Sequence, residues 1–230
     1  ARSSSPPRGA MCPPGTTDAA AAAFADALTV ARSLPKADLH CHLDGSLLPK
    51  FVADQAEKRG VLSKNGEKIP TTPTAFREFV DEMKGAMRAK SATDARVITR
   101  VESKKNWPIF DWMNRWLQTE AEVREGVRSL AACLHDEERV RYLEIRFCPA
   151  LHTLEGLSVE QVVQAASRGW QDAVAERATL KGGLILCALR SYPAPHPLET
   201  AQLVKAHLEG PAVVGFDVAG SEGYALSTPA

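Results

Sequence analysis

Two imidazoles and a carboxylate stand at alternate positions in the run Leu34-Pro-Lys-Ala-Asp-Leu-His-Cys-His-Leu-Asp-Gly-Ser-Leu47. The stretch reads as a strand ended by Gly45, and residues two apart on a strand share a face. His40 and His42 therefore project to one side, with Asp44 where the strand stops. Two neutral imidazoles side by side suit a borderline-soft ion such as Zn²⁺. An isolated His-x-His pair is as often ordinary polar residues as ligands, so the rest of the chain has to decide.

Three further segments bear on the question. Tyr142-Leu-Glu-Ile-Arg-Phe-Cys-Pro149 carries a Glu-x-Arg-aromatic-x-Pro pattern, Leu184-Ile-Leu-Cys-Ala-Leu-Arg190 is apolar and ends in Arg, and Val213-Val-Gly-Phe-Asp-Val-Ala-Gly220 ends in Asp-Val-Ala-Gly. With the His-x-His run, their order and their separations of roughly 100, 45 and 30 residues resemble the first four strands of the adenosine deaminase family, within the wider amidohydrolase group. The resemblance covers about residues 34 to 222. It implies an α/β fold, the N-terminal half (strands 1–4 with their helices) of a TIM (β/α)8 barrel, with the site at the carboxyl ends of the strands.

The same resemblance implies roles for particular residues. His40 and His42 would bind Zn²⁺, with His42 also close to the substrate. Asp44 would contact the ribose of a purine nucleoside, and the backbone N–H of Gly220 would hold a purine ring nitrogen, an approach that only glycine allows. The implied reaction is hydrolytic deamination of adenosine or 2′-deoxyadenosine to the inosine product, a step of purine metabolism. Adenine deaminases and deaminases of N6-methylated adenine nucleotides share the pattern. A carboxylate at Asp44 suits a ribose hydroxyl and would repel a 5′-phosphate, and free adenine has no ribose to engage it.

The family's third His ligand, its proton-donating Glu and its water-orienting His and Asp have no counterpart before residue 230, so no catalytic residue is assigned within the chain. The family's usual acidic residue after the glycine is Ser221 here. Four strands would leave two open edges, and two ligands fall short of the three that a catalytic zinc site usually has. The 230-residue chain is accordingly expected to be inactive alone. Two readings follow: the N-terminal half of an ordinary deaminase, or a non-catalytic structural or interaction module whose open half-barrel a protein partner covers.

Other polar residues read as support. Glu144 and Arg146 share a strand face and are expected to form an internal ion pair, with Asp217 as a further support. His135, His152, His196 and His207 lack ligand spacing and read as surface or packing residues. Trp107, Phe110, Trp112 and Trp116 lie at helical spacing and read as core, one or two of them facing the substrate mouth. Phe147 and Val214 are expected only to shape the barrel.

The elements that would position these groups alternate strand and helix, which argues for a parallel sheet. Helices are expected over Pro49–Arg59, Phe76–Lys90, Trp107–His135, from Ser158 with a capping box to Gln161, and over Leu198–Leu208. Residues 63 to 74 read as a loop. Residues 1–33 form a separate unit, a Ser/Pro/Gly-rich tail to residue 17 and an Ala-rich helix from Asp18 to about Arg32, ahead of the partial barrel at 34–230. An organelle-targeting origin for the tail is the alternative to simple disorder.

The charge is balanced, 28 basic against 28 acidic residues, which gives no reason to expect nucleic acid or an anionic membrane as partner. The five cysteines are odd in number and irregularly spaced, so neither a disulfide framework nor a zinc ribbon is expected and a reducing, cytoplasmic setting is the default.

Overall fold

The computed structural model describes residues 18–61, 66–92, 107–193 and 195–220. The tail at 1–17, part of the expected loop at 63–74, and Ser221 lie outside them. Four strands, β1 (Lys36–His42), β2 (Val140–Phe147), β3 (Lys181–Leu189) and β4 (Val213–Ala219), form one parallel sheet in the order β1-β2-β3-β4. Each parallel step needs a crossover, and the helices supply it. They are α1 (Asp18–Ser33), α2 (Pro49–Lys58), α3 (Pro73–Ala92), α4 (Trp107–Asn114), α5 (Glu120–Asp136), α6 (Val159–Glu176) and α7 (His196–His207). None of the described helices is long and apolar enough to cross a membrane.

One face of the sheet is sealed. Leu143 and Ile145 of β2 and Leu184 and Leu186 of β3 are fully buried, together with Val123, Val127, Val162, Val163 and Trp170 of α5 and α6. The approach of those two helices is close: a Cβ at Gly169 would lie 2.2 Å from the Arg124 carbonyl oxygen. Outside that contact, Arg124–Asp172, Arg128–Glu176 and Arg168–Glu120 pair across the helices at 2.6, 3.2 and 2.7 Å.

The helix expected over Trp107–His135 is two. After Asn114 the chain makes two tight turns, Trp116 N–H to Met113 O and Leu117 N–H to Asn114 O, each 3.1 Å. Thr119 then opens α5 with a capping box: Glu122 N–H donates to its hydroxyl at 3.3 Å and Thr119 N–H donates to the Glu122 carboxylate at 3.0 Å. The Thr-x-x-Glu signal was present in the sequence, masked by an apolar periodicity that runs through the break. Glu122 also accepts from Arg59 at the end of α2, at 2.7 Å, and Arg59 reaches Glu155 with its other nitrogen. The expected box at Ser158 and Gln161 is present.

Candidate functional site

β1 is not a regular strand. Lys36 lies opposite Val140 and Ala37 opposite Tyr142, one step against two; Asp38 then lies opposite Leu143 and Cys41 opposite Ile145, a bulge of three steps against two that restores the starting offset. Beyond this bulge, the Nε2 atoms of His40 and His42 stand 3.1 Å apart with ring centroids at 5.0 Å. Two nitrogens bound to one Zn²⁺ at about 2.0–2.1 Å lie roughly 3.3 Å apart at the tetrahedral angle, so the pair fits a shared ion. His42 is held below its usual pKa by burial first, then by His40 and Arg146, against an opposing pull from Asp217. That favours the neutral imidazole a metal requires. Among the described residues no group of three or more His, Cys, Asp or Glu converges; the pair is half of a site.

The chain turns out of β1 at Leu43, which is fully buried, and carries Asp44 beneath the surface. Asp44 is 7% exposed, and its Oδ1 has no hydrogen-bond partner. Burial pushes its carboxyl up to about 6, although its own backbone N–H and that of Gly45 favour the charged form. An orphaned buried carboxylate oxygen calls for a partner that is not part of the described chain.

Asp44 faces a cavity of about 230 Å³ at the carboxyl ends of the strands. His42 and Gly220 line it too, so three of the four residues singled out in the sequence share one cavity; His40 does not line it but contacts His42. Gly220 has φ +106, a conformation natural to glycine. The walls are largely apolar, with Phe110, Leu151, Leu189 and Ala219.

Several wall residues were not anticipated. Phe147 does more than shape the sheet: it lines the cavity, as do Cys148 and Cys187. Burial raises these thiols to about 11 and about 12, so they are apolar wall rather than nucleophiles. Asn114 is 4% exposed, and neither amide atom has a hydrogen-bond partner. Its place four residues after Phe110 put both on one helix face, a signal that was available. Of the aromatic cluster, Phe110 faces the cavity. Trp112 and Trp116 stack edge to face at 5.3 Å, and Trp116 is fully buried.

The expected Glu144–Arg146 ion pair is not formed. Arg146 donates to Asp217 on β4 at 2.8 Å and to the Leu39 carbonyl at 2.8 Å, while Glu144 accepts from the Tyr142 hydroxyl at 3.0 Å. A guanidinium presents a fixed fork, and its two acceptors, one on the adjacent β1 and one on β4 two strands away, aim it away from its neighbour two residues back. Asp217 is a support, as expected. His152 is fully buried packing, and His135 and His207 pair with Asp136 and Glu160 at 2.7 and 2.9 Å.

Comparison with known proteins bears on this geometry. A sequence profile of the family described as adenosine deaminase matches residues 35–228. The chain belongs to the adenosine deaminase family. It is 32% identical to an adenosine deaminase of Shewanella woodyi over 83% of this chain and 51% of that protein. For one of Haemophilus ducreyi the figures are 34%, 81% and 49%. The chain thus spans about half the length of the curated relatives it matches.

Solved structures agree on the fold. An adenine deaminase of Arthrobacter aurescens superposes with a TM-score of 0.58 at 21% identity, over 82% of this chain and 50% of that one. An amidohydrolase of Burkholderia ambifaria with bound Zn does so at 0.57 and 19%, over 90% and 48%. The four parallel strands and their helices are therefore the N-terminal half of the family's barrel, and the family is one of hydrolases.

Proposed function

We propose that this chain provides the metal-binding and nucleoside-binding half of a zinc-dependent adenosine deaminase. The observation that carries the reading is the convergence of His40 and His42 at 3.1 Å beside a buried carboxylate with an unpartnered oxygen. His40 and His42 would hold the ion. When bound, it would lower the pKa of water enough to furnish a nucleophile near neutral pH.

Substrate binding falls to side chains and backbone of this chain. Asp44 Oδ1 accepts a ribose hydroxyl, which supplies its missing partner. Gly220 donates its backbone N–H to a purine ring nitrogen. Phe110, Leu151 and Leu189 exclude solvent from the base, which strengthens each polar contact. The overall change replaces the C6 amino group with oxygen from water and releases ammonia. The proton-donating Glu implied by the family resemblance would come from the half of the barrel that the relatives possess beyond the matched region.

Adenosine and 2′-deoxyadenosine are the proposed substrates. The similar solved structures include an adenine deaminase and an N6-methyl-AMP deaminase, but an Asp44 carboxylate disfavours a 5′-phosphate and finds no hydroxyl on adenine. Free thiols at Cys41, Cys133, Cys148 and Cys187 suit a reducing, cytoplasmic compartment. One observation favours a covering partner as well. Phe216 of β4 sits opposite Leu186, which is fully buried, yet is itself 41% exposed. The rest of the barrel, or a protein in its place, would cover it.

The test is zinc content and substrate turnover of the protein isolated from its native source, together with its intact mass. One equivalent of zinc and conversion of adenosine in preference to adenine and N6-methyl-AMP is the expected result. Zinc-free protein that converts none of the three would overturn the reading. The 230-residue chain by itself is expected to bind zinc weakly and to turn over nothing at an enzyme's rate.

A further inference from the structure

We propose that Asn114 is a specificity-determining residue that holds a second hydroxyl of the nucleoside sugar, beside the one taken by Asp44. The inference rests on the reading of this cavity as a nucleoside site.

Asn114 ends α4 among apolar neighbours. Met113, Trp116 and Leu117 are buried around it, and Phe110, one helical turn back, lines the same cavity. A leucine of nearly the same size would fill the place without a polar atom, whereas an amide buried without partners costs free energy. Asn114 is 4% exposed, and neither Oδ1 nor Nδ2 has a hydrogen-bond partner. Gln118, four residues on and 2% exposed, is buried as deeply but fully engaged. Its Nε2 donates to the carbonyls of Asn114 and Leu151 at 2.8 and 2.9 Å, and its Oε1 accepts from the Leu154 N–H at 2.9 Å. Gln118 ties the end of α4 to the turn after β2. The side chain of Asn114 ties nothing and borders the cavity.

The cavity face of α4 lies over its β1 end. A Cβ at Gly45, the residue after Asp44, would meet the Phe110 ring at 3.4 Å, and the rings of His42 and Phe110 are 6.5 Å apart. Gly220, the proposed contact of the base, follows β4 at the far edge of the sheet. Asn114 therefore belongs to the Asp44 side, where the sugar is read. The two unpartnered groups also complement one another. An ionised Asp44 can only accept, while the Asn114 amide both donates and accepts. Two hydroxyls of one sugar satisfy both: one donates to Asp44, and the other accepts from Nδ2 or donates to Oδ1 of Asn114. A phosphate suits the place poorly. Among the described residues lining the cavity, Asp44 and Asp111 are carboxylates and none is lysine or arginine, so an anion would meet repulsion without a counter-charge.

The experiment follows binding of adenosine, its 2′-, 3′- and 5′-deoxy analogues and adenine to the 230-residue chain by ligand-detected NMR titration, with melting temperatures alongside. No turnover is expected of this chain, so each ligand stays intact. The variants are Asn114→Leu and, as a structural reference, Gln118→Leu. Asn114→Leu is expected to weaken adenosine binding about tenfold, the scale of one or two lost hydrogen bonds, and to leave adenine within about twofold. For the deoxy analogue that lacks the hydroxyl held by Asn114, the penalty is expected to vanish. Asn114→Leu is also expected to melt no lower than the wild type, since it removes an unpaired amide, while Gln118→Leu melts lower because it strands three backbone groups.

A penalty equal across all five ligands, or a lower melting temperature with unchanged affinities, would show a merely structural role and overturn the proposal. A wild-type chain that binds neither adenosine nor adenine overturns the nucleoside reading and this role together. Wild-type binding of adenosine that Asn114→Leu leaves unchanged overturns the role of Asn114 alone.

Discussion

Acid should loosen this fold through one histidine. His152 closes the short 3-10 turn Pro149–His152 after β2, is fully buried, and has no hydrogen-bond partner on either ring nitrogen. Its ring lies against Phe147 at 5.8 Å, behind the cavity wall. Burial lowers its pKa from 6.5 to about 4. The unfolded chain therefore takes up a proton that the folded chain refuses. Stability is complete above about pH 6.5, falls as pH drops towards 4, and levels off below. The full gap corresponds to roughly 3 kcal/mol, and about 2 kcal/mol of it is lost by pH 5. Urea unfolding of the wild type and His152→Leu at pH 7.5 and pH 5 measures the difference. Asp44, raised to about 6 by burial, contributes with the opposite sign but is common to both proteins. The variant is expected to lose about 2 kcal/mol less than the wild type between the two pH values. Equal losses would refute the assignment of a buried neutral imidazole.

Two other perturbations test the frame around the site. Gly169→Ala places a methyl 2.2 Å from the Arg124 carbonyl, so α5 and α6 must separate; a loss of about 1–3 kcal/mol in urea unfolding is expected. Glu122→Ala removes the carboxylate half of the α5 capping box and leaves Arg59 with Glu155 alone. Since Arg59 is part exposed, the expected loss is about 2 kcal/mol rather than the larger cost of a buried break, read by the same unfolding curves.

Much of the fold was legible because each strand carried its own signal. Val213–Gly220 and Leu184–Arg190 are apolar runs bounded by turn residues, and Ser158 announces a helix by pairing with Gln161. The break between α4 and α5 was equally present, since Thr119 and Glu122 spell the same motif. It went unread because Trp112, Trp116, Val123 and Val127 keep a helical spacing across the gap, and periodicity says nothing about a change of axis. The Arg146 partner was not legible in this way. A strand pattern places Glu144 and Arg146 on one face but gives no distance to an acceptor on a strand seventy residues away, so Asp217 and the Leu39 carbonyl could enter only with the sheet order.

The bulge marks the firmer limit. Alternation tells which residues of a strand share a face, and it placed His40 and His42 together. It does not tell which face, because that depends on register against a neighbour about a hundred residues distant. The apolar residues argue weakly on the point: Leu39 is largely exposed and Cys41 buried, although both are apolar and two apart. A local pattern with two such residues on opposite sides of a sheet is what an inserted residue produces. The polar groups around it, Asp38 before and Arg146 across, then have a physical reason to be there: a backbone amide and a carbonyl turned aside at a bulge need partners as much as those in a ladder do.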